Sequence, residues 1–260
     1  MKTKILFLAL LLGLSTQVSA SPIFNSGIPS SWSCTGNCGT GVADGDVTLA
    51  PGSTTPYGWV STDGGVNGVN LPGIDSSATD GSMLRTGVFS ATAGEDLEFD
   101  FNYITSDGAG FADYAWARLL DDALNEIAIL FTARTKSSGT IVPGDGMPAP
   151  AATLTPASVP IIGGAPDWSP LGSSSGSCYS SGCGYTDWVH SSYTIAAAGN
   201  YVLEFGTTNW LDTAYDSGMA FDGILVGGDP IVPDPIPEPA SFALLGLGLI
   251  GMGAVRRRRK

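Results

Sequence analysis

The chain has 260 residues, of which 24 are acidic, 11 are lysine or arginine and one is histidine, a formal net charge of −13. Seven basic residues sit at the ends, at positions 2, 4 and 256–260, so residues 21–236 keep 11 − 7 = 4, namely Arg85, Arg118, Arg134 and Lys136. Against 24 − 1 = 23 acids, Glu238 being omitted, this stretch carries 4 − 23 = −19, which excludes the clustered cations that nucleic acids and other polyanions require. Divalent cations, neutral sugars and simple solubility are all compatible with that charge.

At the N-terminus, Lys2 and Lys4 precede an apolar run from Ile5 to Leu14, and Val18-Ser19-Ala20 supplies small residues for cleavage. The pattern predicts a signal peptide over residues 1–20, cut between Ala20 and Ser21. Its apolar run is only about half of the roughly 20 residues that span a bilayer.

Residues 21–229 are expected to form one all-β domain, because from Val47 onward short β-rich runs alternate with clusters of Gly, Pro, Asn, Asp and Ser. No amphipathic helix is evident. The clearest strand is Glu95 to Thr105, with Leu97, Phe99, Phe101 and Tyr103 on a core face and Glu98, Asp100 and Asn102 on a wet one. Further strands are expected over Met83 to Phe89, Tyr114 to Leu120, Glu126 to Arg134, Trp188 to Ile195, Tyr201 to Thr207 and Met219 to Val226. Alternation in the last two puts Glu204 and Asp222 opposite the apolar residues.

The four cysteines form two close pairs, Cys34 with Cys38 and Cys178 with Cys183. In an oxidising exported compartment they read as disulfides, and the Gly- and Ser-rich segments around them favour two local loops. A four-cysteine zinc site is the rival, although its usual spacing is shorter. Residues 137–181 form a Pro/Gly/Ser-rich insertion whose prolines exclude a central strand, and it is expected to be a partly ordered surface loop tied down by Trp168 and the second cysteine pair. Residues 230–236, with Pro233 and Pro235, are a stiff spacer.

The end of the chain carries Pro237-Glu238-Pro239, an uncharged run from Ala240 to Val255, and then Arg256, Arg257, Arg258, Arg259 and Lys260. As a helix the run would measure about 24 Å, marginal for a hydrocarbon core of about 30 Å. The cations behind it would stay cytoplasmic and leave the long N-terminal part outside the inner membrane. Gly246-Leu247-Gly248-Leu249-Ile250-Gly251 matches a dinucleotide-binding pattern but lacks the βαβ context the pattern needs.

These three parts, in this order, resemble the PEP-CTERM sorting signal, which implies recognition of Pro237-Glu238-Pro239 by an exosortase and removal of the tail. The resemblance covers about residues 236–260, the sorting signal itself being residues 237–260, and implies secretion machinery and exosortase as partners. It also implies a membrane-anchored intermediate held by the C-terminal helix, followed by release to the cell surface or extracellular matrix, with exopolysaccharide as a candidate contact. The late strand Ser217-Gly218-Met219-Ala220-Phe221-Asp222-Gly223-Ile224 and the alternating strand at Glu98 resemble jelly-roll-like β-sandwich ectodomains, with similarity to carbohydrate-binding sandwiches.

Within the domain, Gly172-Ser173-Ser174-Ser175-Gly176 fits a nucleophile-elbow pattern, but its only available base is His190 and it lies in a Ser/Gly run. Glu98, Glu204 and Asp222 could supply paired carboxylates for a polysaccharide hydrolase. No cofactor is required, and structural calcium is the candidate metal. Asp44-Gly45-Asp46, Asp63-Gly64, Asp107-Gly108 and Asp121-Asp122 are candidate loops, with Asp44, Asp46 and Asp222 as first-choice ligands. Of six tryptophans, Trp59, Trp168 and Trp210 lie in or beside turns where a sugar platform could form, whereas Trp116 and Trp188 read as core. The expected function is a non-catalytic exported surface or matrix protein that binds glycan. The alternatives are a secreted polysaccharide hydrolase and a purely structural matrix component.

Overall fold

The computed structural model describes residues 23–74 and 77–231. The signal peptide, its Ala20/Ser21 junction, the spacer beyond Ile231 and the 237–260 tail lie outside the described residues.

The N-terminal part contributes β1 (Ser33–Thr35), β2 (Asn37–Gly41), β3 (Tyr57–Ser61), β4 (Val66–Asn67), β5 (Ala78–Arg85) and β6 (Phe89–Ala91). Three long strands follow, β7 (Asp96–Thr105), β8 (Tyr114–Asp121) and β9 (Glu126–Arg134). Short ones come next: β10 (Thr140–Val142), β11 (Thr153–Thr155), β12 (Val159–Pro160), β13 (Ile162–Gly163) and β14 (Gly184–Tyr185). The chain closes with β15 (Val189–Thr194), β16 (Gly199–Trp210), β17 (Ser217–Val226) and β18 (Asp229–Pro230). A 3-10 turn at Ser169–Ser174 is the helical element among the described residues.

These strands form two large antiparallel sheets and a small two-stranded one, β10-β12. The first has the order β1-β5-β16-β8-β9, with β4 and β6 at its margins; the second runs β11-β15-β7-β17-β3-β2, with β13, β14 and β18 attached. The expected alternation in β7 holds on its core side: Leu97, Phe99, Phe101 and Tyr103 are fully buried against Leu203 and Phe205 of β16 and Phe131 of β9. Two stacked ring pairs knit the sheets together, Phe101 on Phe131 at 3.8 Å and Phe205 on Phe221 at 4.0 Å. Aromatic contacts of this kind add to the area buried, by about 1 kcal/mol each. Among the described residues the buried apolar side chains form one main cluster between the sheets and two smaller ones on their outer sides.

The second faces of the sheets depart from expectation. Glu204 is not on a wet face; it is fully buried, because β16 is central and its outer side carries Trp116 and Arg118 from β8 and Arg85 from β5. Tyr114, Trp116 and Ile129 on that side are roofed by Val69 and Leu71. Likewise Asn102 is buried, since the segment carrying Trp168 and Leu171 folds over Ile104, Tyr57 and Ala220.

That segment belongs to the 137–181 insertion, which is more ordered than a surface loop. It supplies β10–β13 and the 3-10 turn, and its one strand on a main sheet path, β11, pairs at the edge with β15, where proline is tolerated. Both cysteine pairs close locally, Cys34 to Cys38 and Cys178 to Cys183.

Candidate functional site

An open groove of about 470 Å³ lies on the outer side of β2 and β3 and is lined by Asn37, Asp44, Tyr57, Trp59, Asp63 and Pro170. Its wall follows from strand register. Gly39 stands directly opposite Trp59, and the indole lies across that glycine; a side chain there would collide with the ring. Behind Trp59, the fully buried Trp168 packs edge-on at 6.4 Å and donates its indole N–H to Tyr57 Oη at 3.0 Å. Burial pushes the Tyr57 hydroxyl up to about 12, against the lowering effect of the Trp168 bond, so it stays protonated. Trp59 is therefore a half-buried aromatic face held between a glycine and a second indole.

The rim is acidic. Asp44 accepts the Ser169 amide at 2.9 Å and Asp46 the Asp167 amide at 2.8 Å, which clamps the insertion onto the 44–46 turn. Asn37 Nδ2 donates to the Asp63 carbonyl at 2.6 Å. Gly172 has φ +56°, and a side chain on it would strike the Asp63 carboxylate, so the insertion approaches the groove edge closely there.

Of the sugar-platform candidates, Trp59 alone lines this groove. Trp168 is corrected to a core residue with no exposed surface. Trp210 is half-buried, and the Arg134 guanidinium covers its ring at 4.9 Å. Trp116 is core as expected, whereas Trp188 is half-buried just before β15 and donates to the Thr48 carbonyl at 3.1 Å.

The other candidate sets separate. Ser174 is buried and donates to Asp216 Oδ2 at 2.8 Å, while His190 bonds Asp100 at 3.0 Å and approaches Glu98 at 3.5 Å, so no Ser-His pair exists. Of the paired-acid candidates, Glu204 is locked in the first sheet, while Glu98 and Asp222 share the outer face of the second. There His190, Asp100 and Asp222 stand in register across β15, β7 and β17. Burial raises Asp100 and Asp222 above the usual carboxylate range, in Asp222 with a further push from Asp100. Both line a small hollow of about 220 Å³ beside Ser53. Asp222 thus lies with Asp100 and Ser53, away from Asp44 and Asp46, and the first-choice calcium ligands do not come together. The register that joins His190 to Asp100 and Asp222 was hidden in the sequence, where these residues stand far apart.

Residues 235–259 match the model of the PEP-CTERM protein-sorting motif. The chain carries a PEP-CTERM sorting signal. Pro237-Glu238-Pro239 falls inside the matched stretch, and the motif implies an exported, exosortase-sorted protein with a C-terminal anchoring signal. Among the described residues no helix is long and apolar enough to cross a membrane. None of the curated proteins matches the sequence. Among solved structures, the K1 cleaved adhesin domain of Lys-gingipain from Porphyromonas gingivalis W83 is similar at 12% identity and TM-score 0.39, covering 80% of this chain and 95% of that one. The K3 domain of the same protein gives 14% identity and TM-score 0.37, covering 80% of this chain and 98% of that one. An alginate lyase from Corynebacterium sp. gives 13% and 0.28, with 65% and 76% covered.

Proposed function

We propose that this exported protein is a non-catalytic glycan-binding module whose jelly-roll-like sandwich engages neutral saccharide in the Trp59 groove. On this reading, exosortase processing releases it to the cell surface or extracellular matrix, where exopolysaccharide is its contact. The observation that carries the reading is the fixed indole of Trp59 in an open groove rimmed by Asn37, Asp44 and Asp63. The apolar face of a pyranose stacks on such a ring, and amide and carboxylate groups hydrogen-bond its hydroxyls. The acidic rim selects against anionic sugars.

The test is titration of residues 21–236 with neutral hexa-saccharides by calorimetry. Saturable binding lost in Trp59→Ala is expected; no binding across a broad panel, or binding indifferent to Trp59, overturns the groove assignment. A secreted hydrolase is the second reading, favoured by the register of Asp100 with Asp222. It requires new reducing ends from a polysaccharide, lost in Asp222→Asn.

A further inference from the structure

Three loops meet at one end of the sandwich: 106–113 between β7 and β8, the Cys178–Cys183 loop, and 211–216 between β16 and β17. Tyr179 donates its amide to the Ser106 carbonyl at 3.0 Å, and Ala109 donates to Ser181 at 2.9 Å. The rings of Phe111, Tyr179 and Tyr215, one from each loop, touch at 5.4 and 5.1 Å. Next to this junction the chain places Asp107, Asp113, Asp212 and Asp216. None of the four takes part in an ion pair among the described residues.

Two of these acids are satisfied. Asp113 accepts Ser217 Oγ at 2.6 Å and the Trp210 amide at 2.9 Å; Asp216 accepts Thr62 Oγ1 at 3.1 Å and Ser174 Oγ at 2.8 Å. Asp107 is not. It is 1% exposed, its Oδ1 takes only the neighbouring Gly108 amide, and its Oδ2 is buried with no donor at all. On the same loop Ser106 donates its amide and its hydroxyl to the Asp216 carbonyl at 3.1 and 2.8 Å, which holds the 106–113 loop against the 211–216 loop. A buried acceptor in a field of like charge needs a proton or a cation.

We propose that a calcium ion seats between Asp107 and Asp212, joining the 106–113 loop to the 211–216 loop. Asp107 supplies the orphan oxygen that is already buried, and Asp212 supplies a half-buried carboxylate from the facing loop, its Oδ1 accepting the Ala214 amide at 3.1 Å and its Oδ2 turned to the ion. Among the described residues no three acidic, histidine or cysteine side chains form a metal cage on their own. The ion therefore takes two carboxylates and completes its shell with carbonyl oxygens and water, as hard cations with about 6 to 8 oxygen ligands do. Asp113 and Asp216 frame the site, each already accepting one hydrogen bond at each carboxylate oxygen. The Asp107-Gly108 loop is set apart from other acidic turns by its unmet oxygen. Asp44 and Asp46 hold backbone amides of the facing insertion, and Asp121 caps Ala123 and Asn125. This inference stands independently of the glycan reading.

The experiment follows calcium binding to residues 21–236 by calorimetry and thermal unfolding, with calcium chloride against EDTA. At a hundredfold excess over Kd the unfolding temperature should rise by about 5 to 10 °C. Asp107→Asn should lose that rise, yet in EDTA should melt above the unsubstituted protein, because it removes a buried like charge. Asp212→Asn should weaken binding at least about tenfold, and the exposed Asp122→Asn should respond as the parent does. No heat and no thermal shift in the parent overturns the proposal, as does a full calcium response in both Asp107→Asn and Asp212→Asn. If Asp107→Asn does not fold, Asp212→Asn decides alone, because its side chain is only half-buried.

Discussion

This acidic protein buries carboxyl groups in two places and handles them in opposite ways. In the first sheet, Glu204 lies between Arg118 Nε at 2.6 Å, Arg85 Nε at 2.8 Å and Trp116 Nε1 at 3.0 Å. Burial alone would raise its pKa, but the Arg118 and Trp116 bonds outweigh burial and lower it. At the loop end, Asp107 and Asp113 are buried and form no ion pair among the described residues, and both are pushed upward chiefly by burial, with a smaller push from Asp212. The comparison teaches that the sheet satisfies its buried charge from the strands in register beside it, whereas the loop end leaves its buried carboxyls without an ion-pair partner among the described residues.

Removing the paired charge should have the largest effect. Glu204→Ala leaves the buried Arg118 with only the more exposed Glu126 as its ion-pair partner, at 3.2 Å, and is expected to cost about 3 kcal/mol in urea unfolding. The pH dependence of the two regions should differ in sign. Glu204, lowered when folded, stabilises above its unfolded pKa, and that contribution is lost as pH falls. Asp107, raised from 3.8 to about 7, favours the folded state at low pH, and in EDTA this advantage, at most about 4 kcal/mol, is lost as pH rises through 7. Unfolding in EDTA from pH 4 to pH 8 should therefore show a decline that Asp107→Asn flattens; an unchanged decline in that variant would separate it from Asp107. Opening the Cys178–Cys183 loop by Cys→Ser at both positions should cost about 2 kcal/mol. Trp116→Phe, which removes one of four N–H donors to Glu204 and leaves the ring packed, should cost about 1 to 2 kcal/mol.

Local features were legible in the sequence. Strict alternation in β7 gave its core face, the close cysteine spacings gave both loops, and the tail's three-part order gave its sorting role. Features that depend on what covers a surface were not. Glu204 alternates with Leu203 and Phe205 as an outward residue would, and only the register of β5, β16 and β8 shows two arginines and a tryptophan closing over it. Trp168 sits among prolines and serines, the composition of an exposed loop, yet the insertion folds back and uses it as the backing of Trp59. Asp107-Gly108 could be named as a candidate loop. Its partner Asp212 is more than a hundred residues away and could not.

The order of strands in the second sheet bears on how the domain withstands traction. The described chain ends at Ile231, just after β18, which pairs with β17 at Leu225 and Val226, the Ile231 amide then donating to the Ile224 carbonyl at 3.3 Å. A force pulling on that end first peels this short hairpin and then reaches β17, held by β7 on one side and β3 on the other. From there, extraction has to shear two antiparallel ladders together, so a tether at this end grips the sandwich by an interior strand rather than by an edge that could unzip one bond at a time.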